Sequence, residues 1–150
     1  MKKNIMSSEQ FYPEKEVTVE KIFALFESAF LEPKLIKEFN RIEVGTSART
    51  SIYVDSERTQ LLFSIWGSMK KSKDELTKLR FISRSNEKCA FLCFYMDQNG
   101  DFHDEYFLSF KGGITAHQIM HTYRAFDSSA LLALRSLDTD DVIGEDKIST

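Results

Sequence analysis

Two cysteines, two prolines and six glycines in 150 residues leave little to cross-link this chain or to interrupt it. Cys89 and Cys93 sit in an apolar run that reads as a strand, where four residues separate them by roughly 13 Å, beyond disulfide reach. Both read as buried thiols in a reducing compartment, so a cytoplasmic location is expected. There is no Cys-x-x-Cys pair to suggest a redox or metal site. No apolar run approaches the roughly 20 residues that span a bilayer, so no membrane association is expected. The chain starts with a basic Met1-Lys2-Lys3 but has no apolar stretch behind it, unlike a secretory signal. A phosphate-binding loop, a dinucleotide fingerprint and a Gly-x-Ser-x-Gly elbow are all missing. Excess positive charge is missing too: the formal net charge is −3. That excludes nucleic-acid binding by phosphate neutralisation.

What is present is core. Apolar residues make up 42% of the chain and charged residues 29%, with 13 phenylalanines. A chain of this length buries about 70% of its unfolded surface as one domain. So many large aromatics can leave some over for a binding face, because aromatics are enriched at interface cores.

Residues 1–16 read as a polar lead-in containing Phe11, Tyr12 and Pro13, and 17–137 as a single α+β domain. Val19, Ile22, Phe23, Phe26 and Phe30 recur at helical spacing. Thr18 is the expected N-cap, Val17 and Ile22 a hydrophobic staple, and Glu32-Pro33 the stop. Residues 34–48 fit either a further helical turn or a first strand over Phe39–Val44. Ser51–Val54 and Leu61–Trp66 read as strands, the second buried on both sides, and Lys70–Asn86 as a helix with Leu76, Leu79 and Ile82 inward. Ala90–Met96 and Phe102–Phe110 form a hairpin around Asn99-Gly100, with alternating faces on the return strand. Gly112-Gly113 re-aims the chain into a last helix opened by a Thr115/Gln118 capping box, with Ile119, Tyr123, Phe126, Ala130, Leu134 and Leu137 inward. Asp138–Thr150 reads as an acidic, frayed tail. The order implies a mainly antiparallel sheet of about five strands with three helices, α-β-β-β-α-β-β-α.

Chemistry-bearing residues are few. His117 and His121 have the i, i+4 spacing that sets two imidazoles on one metal, but the position after His117 is Gln118 where a zinc protease carries glutamate. Solvated or partner-facing histidines explain the pair more simply, since the apolar stripe runs through Ile119 and Tyr123. A small metal-dependent hydrolase using His103, His117 and His121 is the enzymatic alternative. Asp101, His103, Asp104 and Glu105 invite an acid–base reading, yet strand alternation sends Asp104 opposite to His103 and Glu105. Asp97 and Asp101 flank a turn that acidic side chains stabilise. Lys70 to Lys88 forms a basic, solvated helix face.

The sequence from Leu61 to Leu134 resembles the YbjN family, bacterial proteins described as regulators of sensory transduction. The likeness rests on Asp97-Gln98-Asn99-Gly100-Asp101, an Asp-x-x-Gly-Asp turn, followed at the right distance by Gly112-Gly113-Ile114-Thr115 at the helix start. Ser85-Asn86 stands where family members often carry Trp-Asn. The resemblance implies a fold like that of type III secretion chaperones, which present sheet and helix surface to another polypeptide, often as dimers.

The expected function is a non-enzymatic module that holds or neutralises a partner protein, without cofactor or metal. It would act as an immunity protein against a cognate toxin, whose basic surface the acidic chain would complement, or as a secretion-chaperone-like regulator. Asp101, His103, Asp104, Glu105, His117 and His121 are the candidate contacts. A ligand-sensing regulator is a further alternative and requires an apolar pocket between sheet and helices.

Overall fold

The computed structural model describes residues 10–45 and 49–143. Phe11–Tyr12 is a short first strand, β1, and Val19–Ser28 the first helix, α1. Thr18 caps α1 by accepting the Lys21 amide, and the staple pair Val17 and Ile22 is buried, as the sequence predicts. The helix stops at Ser28, five residues before Pro33, because Phe30 and Glu32 take left-handed backbone angles that no helix continues. Lys34–Ile36 (β2), a 3-10 turn at Lys37–Phe39 and Arg41–Val44 (β3) settle the segment that periodicity left open in favour of strands. Thr50–Asp55 (β4) and Gln60–Gly67 (β5) follow.

The second helix, α2, spans Glu75–Lys88 rather than starting at Lys70. Asp74 caps it through the Thr77 amide, while the Lys70 amide is taken by the Val142 carbonyl. That start turns the helix so that Lys78, Phe81, Ile82 and Ser85 face inward, a clean i, i+3, i+4, i+7 stripe, and Leu76 and Leu79 face water instead of the core. The hairpin's first strand, β6, is only Phe94–Met96; its return strand β7 is Phe102–Ser109. Cys89 caps the end of α2 and is buried, whereas Cys93 lies in the loop and is exposed, so the expectation of two buried strand thiols fails. Ile114–Thr115 (β8) leads into α3, Ala116–Leu132, with the capping box in place, and one π turn at Ala133–Leu137 prolongs it.

Six strands form the main sheet in the order β2-β3-β4-β5-β7-β6, one more than the sequence suggests. Every pairing in it is antiparallel. β1 and β8 make a separate two-stranded ribbon, so part of the expected lead-in is structured and Tyr12 is buried. Gly113 makes this close approach possible: its backbone φ is +109°, and a Cβ there would clash with the edge of the Phe11 ring and with the Tyr12 carbonyl. The helices cover one side of the sheet, with Phe26 edge-on to Tyr123 at 5.0 Å and Phe63 against Phe126 at 6.1 Å.

The expected tail folds back at its start. Asp138 caps the amides of Val142 and Ile143, and Arg84 holds the Leu137 carbonyl and the Asp140 carboxylate. Val142 is fully buried and Ile143 pairs with Met69, so two apolar residues anchor an otherwise acidic stretch. The remainder, 144–150, lies outside the described residues, as do 1–9 of the lead-in.

Two features of the hairpin carry predictions. The first is Asp104, fully buried on the helical side of β7, with Oδ1 accepting the Cys93 amide at 3.0 Å and Oδ2 unsatisfied. Burial pushes its carboxyl up from 3.8 to about 7. The folded chain then holds a proton that the unfolded chain has released, so stability is fullest below the ordinary carboxylate range and is lost as pH rises through the folded value. Urea unfolding from pH 4 to 8 is expected to show wild type losing up to roughly 1.4 kcal/mol per pH unit relative to Asp104→Asn over that interval. Parallel stability curves for the two proteins would contradict the assignment.

The second feature is Asn86, whose side chain donates to the Phe94 carbonyl at 2.9 Å and accepts the Phe94 amide at 2.8 Å. It occupies, on edge strand β6, the backbone groups that a neighbouring strand would otherwise take. Asn86→Ala is expected to cost about 1–3 kcal/mol in urea unfolding, from two lost bonds, and to promote self-association by sedimentation. An unchanged midpoint would show the amide clamp to be idle.

Candidate functional site

The antiparallel register sorts the side chains of the sheet, and the side away from the helices carries three cross-strand rows. Ile36, Arg41, Tyr53, Leu62 and Phe107 are successive partners across β2, β3, β4, β5 and β7. Two residues along, Lys34, Glu43, Ser51, Ser64 and Glu105 form a polar row. Two further along, Trp66, His103 and Tyr95 line up across β5, β7 and β6. The outer rows are roughly 13 Å apart at the backbone. Between them Ser51 and Ser64 give a low floor, so the face is a trough with aromatic walls.

These aromatics are presented to solvent. Phe39 is 63% exposed, Trp66 53%, Phe107 50% and Tyr95 40%. Phe39 is held under the Arg41 guanidinium, and Tyr95 by its stack on His103. In the first row the Arg41 guanidinium lies over the Phe39 and Tyr53 rings, 5.3 and 5.5 Å from their centroids. It donates to Tyr53 Oη at 2.7 Å and to Glu43 Oε1 at 3.0 Å. Beyond this row, a groove of about 480 Å³ opens between Phe39, Tyr53, Leu62, Phe107 and the Asp55–Arg58 turn.

The third row is stacked and acidic. The Tyr95 and His103 rings lie 5.0 Å apart and 8° from parallel. Tyr95 Oη donates to Glu105 Oε1 at 3.0 Å, and burial together with that carboxylate pushes the phenol up to about 12. His103 Nε2 lies 3.1 Å from Asp97 Oδ2. Asp97 also accepts the amides of Asn99 and Asp101, and these bonds and His103 hold its carboxyl below the usual range. It is an ionised carboxylate locked in the turn.

The sequence-derived contacts separate into three places. His103 and Glu105 stand on the open face, as alternation requires, and Asp101 sits at the turn beside them. Asp104 is inside the core and offers nothing to a partner's surface. His117 and His121 are exposed on α3 with their rings 6.0 Å apart. That helix packs against the covered side of the sheet, so the three histidines of the hydrolase alternative stand on opposite sides of it. Among the described residues no group of three His, Cys, Asp or Glu side chains is placed to hold a metal ion. The groove lined by Phe39 and Phe107 lies on the open side, away from the sheet–helix interior where a sensing pocket is expected. No helix among the described residues is long and apolar enough to cross a membrane.

Sequence reasoning did not find Phe39, Arg41, Tyr53, Trp66, Tyr95 or Phe107. Treating Leu61–Trp66 as buried on both sides hid Trp66. For the hairpin a signal existed: the turn pairs Tyr95 with His103, and the return strand's alternation puts Phe107 on His103's side.

Comparison with known proteins agrees with the fold. The YbjN family model, described as "Putative bacterial sensory transduction regulator", matches residues 19–138, extending the likeness seen from Leu61 back through α1. The crystal structure of YbjN from E. coli, described as "a putative transcription regulator", superposes with a TM-score of 0.70 at 10% identity. That match covers 85% of this chain and 96% of the other. A chain in the structure of the HopA1–SchA chaperone–effector complex gives 0.52 at 11% identity, over 73% of this chain and 88% of that one. No curated protein matches. With an α+β fold shared with YbjN and a family match over most of its length, the chain belongs to the YbjN family.

Proposed function

We propose that this protein is a cytoplasmic, non-enzymatic binding module that holds a partner polypeptide in the trough of its open sheet face. The supporting observation is the set of large aromatics, Phe39, Trp66, Tyr95 and Phe107, left exposed on one side of the sheet, with Phe39 and Tyr95 held in place by Arg41 and His103. Tyrosine, tryptophan and arginine are the side chains that dominate binding energy at protein interfaces. Contiguous exposed apolar surface on a soluble domain marks such sites. On the helical side the aromatic rings of Phe26, Tyr123, Phe63 and Phe126 pack against one another, while the leucines Leu76, Leu79 and Leu132 are exposed on the outer helix surfaces.

Within this reading the chaperone-like regulator has the fold likeness to a chain of a chaperone–effector complex behind it. The toxin-neutralising version draws on the net charge of −3, which suits a basic partner. Both act by surface fit and require no bond to be made or broken.

A photo-crosslinking residue placed at Phe107, and separately at Arg124 on α3, tests the reading in the native host. We expect one discrete adduct from Phe107 and none from Arg124. The identified partner, once purified, is expected to slow amide exchange in β5 and β7. Adducts confined to the Arg124 position, or protection of α3 in place of the sheet, would contradict it.

A further inference from the structure

Helical spacing groups Phe30 with Ile22 and Phe26, but α1 ends at Ser28 and the Phe30 ring stands 92% exposed, the most of any large apolar side chain among the described residues. Two backbone bonds close the helix there. The Phe30 amide donates to the Glu27 carbonyl at 3.0 Å, and the Leu31 amide to the Phe26 carbonyl at 3.2 Å. Such a closing turn needs a left-handed residue at the position of Phe30, usually glycine, because a side chain crowds the backbone at that angle. Phe30 adopts it at φ +60°. For so bulky a residue this is an outlier. Leu31, not Phe30, gives the turn its apolar contact by packing against the core. The chain therefore bears a conformational cost at Phe30 with no burial of the ring in return. Strain of this kind clusters at ligand clamps and binding sites.

The surroundings of Phe30 connect it to the open face. β2 is the edge strand of the sheet, and its Lys34 is the last member of the polar row that floors the trough. Glu32, Lys34, Glu43 and Arg49 line a depression of about 220 Å³ where that floor reaches the edge. Phe30 is two residues from Glu32, at most about 7 Å along the backbone, so its ring stands at the mouth of the trough. Glu27 and Glu32, both exposed, make the ring's sequence neighbourhood acidic.

We propose that Phe30 anchors the polypeptide held in the trough, entering an apolar pocket of that polypeptide whose rim is basic. The inference rests on the binding-module reading and extends its contact surface past the β2 edge. A large, stiff ring buried in a partner's pocket is the usual form of a binding hot spot. Basic groups around that pocket would face Glu27 and Glu32.

Stability and binding then move in opposite directions at this position. Phe30→Gly, which suits the left-handed turn, is expected to raise the urea midpoint above wild type. Placed in the chain that carries the photo-crosslinking residue at Phe107, the same change is expected to cut the adduct in the native host at least fivefold. Phe30→Asn, also tolerated at this angle, is expected to cut it as far, and Phe30→Tyr, which keeps the ring, to leave it within twofold. Glu27→Gln with Glu32→Gln is expected to lower the adduct at least twofold without lowering the urea midpoint. A photo-crosslinking residue at Phe30 itself is expected to capture the protein captured from Phe107. A midpoint for Phe30→Gly at or below wild type would show that the ring serves the fold, and an undiminished adduct that it anchors nothing. An unchanged adduct in the double glutamine variant would overturn the basic rim. If Phe107 gives its adduct while Phe30 gives none or a different protein, the binding module stands and the anchor falls. An adduct from Phe30 alone would overturn the shared site, and none from either position would overturn both readings.

Discussion

A sheet assigns each side chain to one of two faces, and in this molecule the helices cover only one of them. That constraint carries the architecture. The antiparallel register places Leu61, Phe63, Ile65 and Phe102 toward the helices and Leu62, Trp66, His103 and Phe107 away from them. A slip of one residue in β5 or β7 would exchange the two sets, exposing the core and burying His103 and Glu105. The hydrophobic gain on the covered side therefore fixes the geometry of the uncovered one. The trough is rigid because its floor is the back of the core.

Polar groups complete the frame where burial cannot. Asp104 ties the Cys93 amide beneath the hairpin at the cost of a buried carboxyl, and Asn86 closes the exposed edge beside it. Arg84 and Asp138 bring the chain back so that Val142 seals the end of the sheet near Met69. Each holds a segment too short to be held by apolar contact alone. The same end of the sheet carries the stacked Tyr95–His103 pair, so the ordering of the hairpin and the presentation of its aromatic surface are one structural problem.

Local patterns were legible in the sequence and long-range ones were not. Thr18, Thr115 with Gln118, and the alternation of Phe102 to Phe110 each act within a few residues, and each is found as read. The start of α2 was misplaced because the Lys70 amide is satisfied by Val142, far along the chain. The acidic tail hid its anchor because two apolar residues form no periodic signal, and β6 is shorter than its apolar run suggests because apolar content alone does not distinguish a strand from a loop. The site suffered most from composition: searching for titratable clusters led to Asp104, His117 and His121, whereas the open face is built from aromatics and one arginine whose significance appears only when the register gathers them.

The central claim is that the open-face aromatics serve binding and not stability. The most direct measurement is urea unfolding of alanine variants at matched positions of β5 and β7. Phe63→Ala, on the covered side, is expected to cost about 3–5 kcal/mol. Trp66→Ala and Phe107→Ala are expected to stay within about 1 kcal/mol of wild type, as exposed positions do. Losses at Trp66 and Phe107 comparable to that at Phe63 would show that these rings hold the fold together, and the account of the open face would be wrong.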